Sequence, residues 1–202
     1  PKRILDIGCT IGHNAVPLAQ AYPDAQVVAI DTAAPVLRYG HARAVSLGIG
    51  NIEFQQASGE AVPFQEGEFD LVTTAMFWHE TSTKAMPRIM KEVHRVLVPG
   101  GITLHLEQPQ YQNMAPFEAF MRDWDSYNNN EPFWTRMHEV DLDALMTQSG
   151  FPSGAYFETT MQAKVDRTLF PVPAGSEAGS HEDYGRTPKW TAFGAIKSGA
   201  PA

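Results

Sequence analysis

The sequence predicts an α/β fold, a doubly wound and mostly parallel sheet with helices on both faces, and three observations carry that prediction. Strand-like and helix-like segments alternate along the chain. The strand-like segments are short and mostly apolar, among them Ile4-Leu5-Asp6-Ile7, Val27-Val28-Ala29-Ile30 and Phe69-Asp70-Leu71-Val72, as expected where both faces of a sheet are covered. The first of these runs straight into a glycine-bearing loop, Gly8-Cys9-Thr10-Ile11-Gly12, and the second ends on an acid, Asp31.

Taken in order, residues 3–7 form a first strand and 12–22 a helix, with Pro17 tolerated because it lies near the helix start. After the strand that ends at Asp31, Pro35 opens a helix to Leu47 and Gly48 stops it. Residues 52–56 alternate as a third strand, and 69–74 are apolar enough to be a central fourth. The segment 83–97 is the clearest helix: Met86, Ile89, Met90, Val93 and Leu97 share one face, opposite Arg88, Lys91, Glu92 and Arg95. Pro99-Gly100-Gly101 breaks it, and 102–106 is a fifth strand. A helix over 116–127 carries Phe117, Phe120, Met121 and Trp124 at helical spacing, which predicts that these four are core. Asp141 caps a further helix that runs through Gln148 and ends at Gly150. Segments 156–165 and 190–197 read as the last strands, and the Pro/Gly/Ser-rich stretch 170–189 between them as a lid or flexible loop.

With 202 residues the chain suits one domain, 1–202. A hydrophobic content of 43% and a charged content of 19% place it among soluble globular proteins. No apolar run approaches the roughly 20 residues of a membrane span, and no secretory leader pattern opens the chain. The net charge of −8 argues against a nucleic-acid partner and favours a small or cationic one. The single cysteine, Cys9, cannot form an internal disulfide and points to a reducing, cytoplasmic setting, where it reads as a buried filler. Oligomeric state leaves no mark in the sequence.

The loop and the acid together describe a nucleoside-cofactor site. Gly8 and Gly12 permit a tight turn and the close approach of a ligand, and an acid about 20 residues on can accept the hydroxyls of a ribose. A dinucleotide loop, G-x-G-x-x-G, would need glycine where Thr10 and His13 stand, so a nicotinamide oxidoreductase is the weaker alternative. Instead Asp6 precedes Gly8 by two residues and Gly12 follows it by four. Acids and outward carbonyls suit a cationic ligand better than a pyrophosphate.

That D-x-G-x-x-x-G spacing resembles the first motif of the class I S-adenosylmethionine-dependent methyltransferases, and the likeness to the type 11-like subfamily extends along the chain. Ala57-Ser58-Gly59-Glu60-Ala61-Val62-Pro63-Phe64 is similar to that family's G-D-A-E-x-L-P-F segment, Phe69-Asp70-Leu71-Val72 to its F-D-x-V strand, and Arg95-Val96-Leu97-Val98-Pro99-Gly100-Gly101 to its R-V-L-x-P-G-G turn. The resemblance implies a Rossmann-like, seven-stranded sheet with an antiparallel last strand, and S-adenosylmethionine as cofactor. By position it assigns Asp6, Gly8 and Gly12 to the methionine end, Asp31 to the ribose, Ser58 and Gly59 to the adenine, and Ala75 to the sulfonium side, with Cys9, Thr10, Thr32 and Glu60 as further cofactor-binding candidates. Thr10 and Ser58 depart from the glycine and aspartate usual there, so a non-catalytic binding module of the same ancestry is a further alternative.

A methyl sulfonium needs an aligned acceptor, exclusion of water and, for many acceptors, removal of a proton. His79, after the fourth strand, has an ordinary pKa suited to a general base; its alternative role is to fill or polarise the pocket. Asp31 has the strongest functional claim, since an acid ending an apolar strand at the ligand edge has no evident core role; its alternative is to cap the next helix, and Asp6 could serve as scaffold. Segment 109–138 reads as an insertion on the acceptor side, and Trp78, His79, Tyr111, Phe133 and Trp134 are the candidates for contact with a small, apolar or aromatic acceptor. The other histidines lack the spacing of metal ligands, and no metal is expected.

Overall fold

Three parallel strands that are each nearly all buried form the centre of the sheet, and their carboxyl ends carry the site. In the computed structural model, which describes residues 1–108, 110–111, 114–162 and 189–199, these are β1 (Arg3–Ile7), β2 (Gln26–Asp31) and β4 (Phe69–Ala75), with β3 (Ile52–Gln56) outside β2. Beyond β4 lie β5 (Leu97–Glu107), β7 (Lys189–Ile196) and β6 (Tyr156–Gln162), in the order β3-β2-β1-β4-β5-β7-β6. Pairings among the first five strands are parallel, and β7 runs antiparallel to both β5 and β6. The expected seven-stranded sheet with an antiparallel last strand is therefore observed.

Side-chain alternation on β1 distributes the core. Leu5 and Ile7 face a cluster with Ile89, Met90 and Val93 of α3 (Met86–Val96) and with Leu142, Leu145 and Met146 of α6 (Leu142–Gln148). Ile4 faces Ala15 and Ala19 of α1 (Ala15–Ala21) and Leu37 of α2 (Ala34–Ser46). Asp6 shares the second face, and its carboxyl is thus directed among apolar neighbours beside the start of α1.

Several boundaries differ from the sequence expectations for local reasons. Gly12 has φ +80, a left-handed conformation that a helix cannot use, so α1 begins three residues later. Pro87 fixes the first turn of α3, which starts at Met86 rather than residue 83. The Pro99-Gly100-Gly101 break lies inside a single long strand, since β5 pairs with β4 on both sides of a register shift between Phe69 and Leu71. Asp141 caps α6 as expected, its side chain accepting the Ala144 N–H at 2.9 Å.

The expected core role for Phe117, Phe120 and Trp124 is overturned. On α4 (Pro116–Asn128) these rings are 74%, 58% and 52% exposed, while Arg122 and Ser126 are buried. Arg122 donates to the Gln108 side-chain oxygen at 2.8 Å and Ser126 to the Glu131 carbonyl at 3.0 Å, so the polar face of the helix is satisfied inward. The expected lid at 170–189 falls outside the described residues except for Lys189, which opens β7, and the end of the strand expected over 156–165 lies beyond them after Gln162.

Candidate active site

The loop after β1 spends its amides internally. The N–H groups of Gly8 and Cys9 both donate to the Ile30 carbonyl, at 2.9 and 3.0 Å, and Gly12 donates to the Cys9 carbonyl at 2.8 Å. Thr10 N–H donates to Asp31 Oδ2 at 3.0 Å. A pyrophosphate is held by such amides; with these four engaged, the loop offers carboxylates and carbonyls instead, which matches a cation.

Both oxygens of Asp31 are used, since Oδ1 accepts the Ala33 N–H at 2.9 Å ahead of α2. The carboxylate therefore braces the loop and the chain just ahead of α2, which has Ala33 as its N-cap and no side-chain cap, and its remaining lone pairs leave room for a further donor. Thr10 sits at φ +47, a conformation costly for a β-branched residue. Replacing Thr10 with glycine is expected to stabilise the protein by about 0.5–1 kcal/mol, the relief of strain less the added freedom of the unfolded chain. A denaturant midpoint that moves down instead would exclude that strain.

The half of the glycine expectation that concerns turning holds, with φ +72 at Gly8 and +80 at Gly12. A Cβ on Gly8 would lie 2.3 Å from Phe77 Cδ2, and one on Gly12 3.0 Å from Phe54 Cζ. The chain's own rings use that space. Asp6 is 1% exposed; Asn14 Nδ2 donates to its Oδ1 at 2.8 Å and to Thr73 Oγ1 at 2.9 Å, while its Oδ2 is buried with no hydrogen-bond partner among the described residues. Burial pushes its pKa up to about 7, the Asn14 side chain and the Ala15 backbone N–H opposing and the Asp31 charge adding to the rise. A buried carboxyl beside an acid-rimmed loop fits a cationic group.

Other expected cofactor residues divide. Cys9 is a buried core residue, as its composition reading expected, and burial pushes its thiol well above the usual range. Ser58 Oγ accepts the Glu60 N–H at 3.2 Å, Glu60 pairs with Arg88 at 3.0 Å on the surface, and a Cβ on Gly59 would meet Ile7 at 3.0 Å. Thr32 is exposed and its carbonyl accepts from Gln56 at 2.8 Å. Ala75 closes β4 beside Leu106, and Met76 then turns the chain at φ +53.

That turn leads into a 3₁₀ turn, Trp78–Glu80, which delivers His79 to the site. His79 Nδ1 lies 2.7 Å from Oε1 of Glu107, the fully buried last residue of β5. Burial alone would lower the His79 pKa, but the hydrogen bond and charge of Glu107, with smaller contributions from Glu80 and Glu131, raise it overall. The Trp134 ring, at the start of α5 (Trp134–Met137), stands 5.1 Å from that of His79. His138 follows at 6.2 Å from Trp134, and Tyr111 stacks on His138 at 4.4 Å while donating a short hydrogen bond to Asp123. His79, Trp134 and Tyr111 are thus joined in one aromatic row. Phe133 is 36% exposed beside it, as the residue that precedes α5. Trp78 is corrected: at 1% exposure it packs on Phe77 and His105 in the core and does not face an acceptor.

Sequence reasoning missed Asn14, Phe77 and Glu107. For Glu107 a signal existed, because it ends an apolar strand as Asp31 does. Asn14 fell inside the helix expected over 12–22, where nothing in the local pattern marks its bonds to Asp6 and Thr73.

The sequence matches a methyltransferase domain over residues 4–101. An uncharacterized methyltransferase of Synechocystis sp. is 33% identical over 153 residues, 74% of this chain and 66% of its own length. The ubiquinone/menaquinone biosynthesis C-methyltransferase UbiE of Pseudomonas entomophila is 31% identical over 181 residues, 79% of this chain and 68% of its own. Among solved structures, a SAM-dependent methyltransferase from Methanosarcina mazei superposes with a TM-score of 0.68 at 21% identity, covering 98% of this chain and 93% of that one, a likeness of fold. The chain belongs to the class I S-adenosylmethionine-dependent methyltransferases. It spans 66%, 48% and 46% of the lengths of three of the curated relatives it matches. Among the described residues, no helix is long and apolar enough to cross a membrane.

Proposed function

We propose that this chain transfers a methyl group from S-adenosylmethionine to a small aromatic acceptor that carries a weakly acidic hydroxyl, with His79 as general base. The observation that carries this reading is the buried His79–Glu107 pair at 2.7 Å under the Trp134 ring. It lies at the end of the segment whose Phe77 ring rests on the cofactor loop at Gly8.

The cofactor, when bound, supplies a methyl already activated as a sulfonium. Asp6 and Asp31 would hold its cationic and ribose ends, and Ser58 and Gly59 would border its adenine. The chain's remaining task is to orient the acceptor against Trp134 and Tyr111 and to accept its hydroxyl proton at His79. A phenol or enol ionised in this way becomes electron-rich at the neighbouring carbon as well as at oxygen. The name of the Pseudomonas relative, a quinone-biosynthesis C-methyltransferase, favours carbon and a quinol-like ring. The insertion at 109–138, which supplies Tyr111 and Trp134, would form the acceptor wall.

Titration calorimetry with S-adenosylmethionine, followed by transfer of labelled methyl to hydroxylated naphthols and quinols, tests this. Absence of heat from folded protein would sink it, and binding without turnover would favour the non-catalytic alternative.

The state of Asp6 adds a pH prediction. With its folded pKa raised to about 7 from the unfolded 3.8, the carboxyl of the free protein is largely neutral below pH 7. Its stabilising contribution, complete below about pH 4, is lost as pH rises through 7. A cation must expel that proton, so affinity for S-adenosylmethionine is expected to fall up to about tenfold per pH unit below 7. Calorimetry in two buffers of different ionisation heat should register proton release at pH 6; an uptake or no proton exchange would remove Asp6 from the cation site.

A further inference from the structure

We infer that Glu107 is a positioning residue for His79, its buried carboxylate holding the ring in the tautomer that carries its proton on Nδ1 and leaving Nε2 as the atom that takes the acceptor's proton. The inference rests on the reading of His79 as the base.

Glu107 is 0% exposed, and its two oxygens are fixed from both sides. Oε2 accepts the N–H groups of Phe77, Trp78 and His79 at 3.1, 2.8 and 3.4 Å, and Oε1 accepts that of Gln108 at 2.7 Å. Four backbone donors leave the carboxylate no freedom to turn. An ionised carboxylate only accepts, so the ring nitrogen at 2.7 Å from Oε1 must donate. The amides alone would satisfy a scaffold; the ring is the partner that a scaffold does not require.

Other charged and titratable groups near the ring act more weakly. Glu80 Oε1 is 3.8 Å from Nε2, but that side chain is 59% exposed and screened by solvent. Glu131 contributes a more distant negative field. His138 lies 6.2 Å from the Trp134 ring, which itself stands 5.1 Å from that of His79. Because Glu107 also holds the backbone of Phe77, whose ring covers Gly8, one carboxylate sets the base and the cofactor loop relative to each other.

The test is Glu107→Gln together with nitrogen NMR of the His79 ring in the unmodified protein. A glutamine must turn its NH₂ either toward the three amides or toward Gln108 and the ring. In the second arrangement Nδ1 becomes the acceptor, the proton moves to Nε2, and the base is lost. The expected result is an Nδ1–H tautomer in the unmodified protein at high pH. In the variant, kcat should fall about 10²- to 10³-fold, KM for S-adenosylmethionine should change far less, and the acidic limb of kcat/KM should move to lower pH. An Nε2–H tautomer in the unmodified protein, or a folded variant with unchanged kcat and limb, overturns the inference. If the variant does not fold, the tautomer measurement decides. Failure of the base reading is seen separately, as full activity in His79→Gln with the Nδ1–H tautomer still present in the unmodified protein.

Discussion

Replacement of His79 by glutamine is expected to lower kcat by roughly 10²- to 10⁴-fold, the usual contribution of a positioned general base. Affinity for S-adenosylmethionine should be nearly unchanged, because among the described residues none of the cofactor loop's hydrogen bonds involves this side chain. The base must be neutral to act, and the folded pKa is raised above the ordinary 6.5 despite burial, because Glu107 outweighs desolvation. The acidic limb of kcat/KM should therefore lie above pH 6.5 in the unmodified protein and disappear in the variant. Stability runs the other way. A raised histidine pKa stabilises the fold below the unfolded value and ceases to do so as pH rises through the folded one, so the variant should lose stability chiefly at acidic pH. Steady-state pH profiles and melts at pH 5 and 9 measure both. A kcat within threefold of the unmodified enzyme would assign His79 to packing.

How far this site could be read in advance depended on whether a residue's partner was near in sequence. The Gly8–Gly12 loop and Asp31 were visible because a strand–loop–helix unit keeps loop and acid within one local pattern. Asp31 and Thr10 do meet, at 3.0 Å. The partnership of His79 with Glu107 spans 28 residues and exists only because β4 and β5 pair in the register Ala75 to Leu106, which a sequence does not print. On α4 the helical spacing of Phe117, Phe120 and Trp124 was real, but periodicity shows which residues share a face and not which way it points. There the inward face went to Arg122, whose target Gln108 is supplied by the chain just after β5. Trp78 was misplaced for a related reason: in a 3₁₀ turn adjacent side chains diverge widely, so His79 reaches the site while its neighbour enters the core.

Gly8→Ala is expected to cost about 2–5 kcal/mol of folding stability, a large share of the 5–15 kcal/mol typical of a domain. Two causes combine. The left-handed φ of +72 penalises any L side chain by about 1–2 kcal/mol. The new methyl would then lie 2.3 Å from Phe77 Cδ2 and 3.0 Å from Cε2, and forcing a packed ring aside costs about 1–3 kcal/mol. Phe77 has little room to yield, since its N–H is held by Glu107 at 3.1 Å and its ring meets Trp78 edge-on at 5.5 Å. Any shift of that segment also displaces His79, which hangs from the same carboxylate, so kcat should fall alongside the midpoint. A double-mutant cycle separates the causes: in a Phe77→Ala background the clash is gone and only the backbone penalty remains, giving a coupling of about 1–3 kcal/mol. An alanine at position 8 that costs the same in both backgrounds would mean that the ring is free to move, and that the loop and the base are not mechanically joined through Phe77.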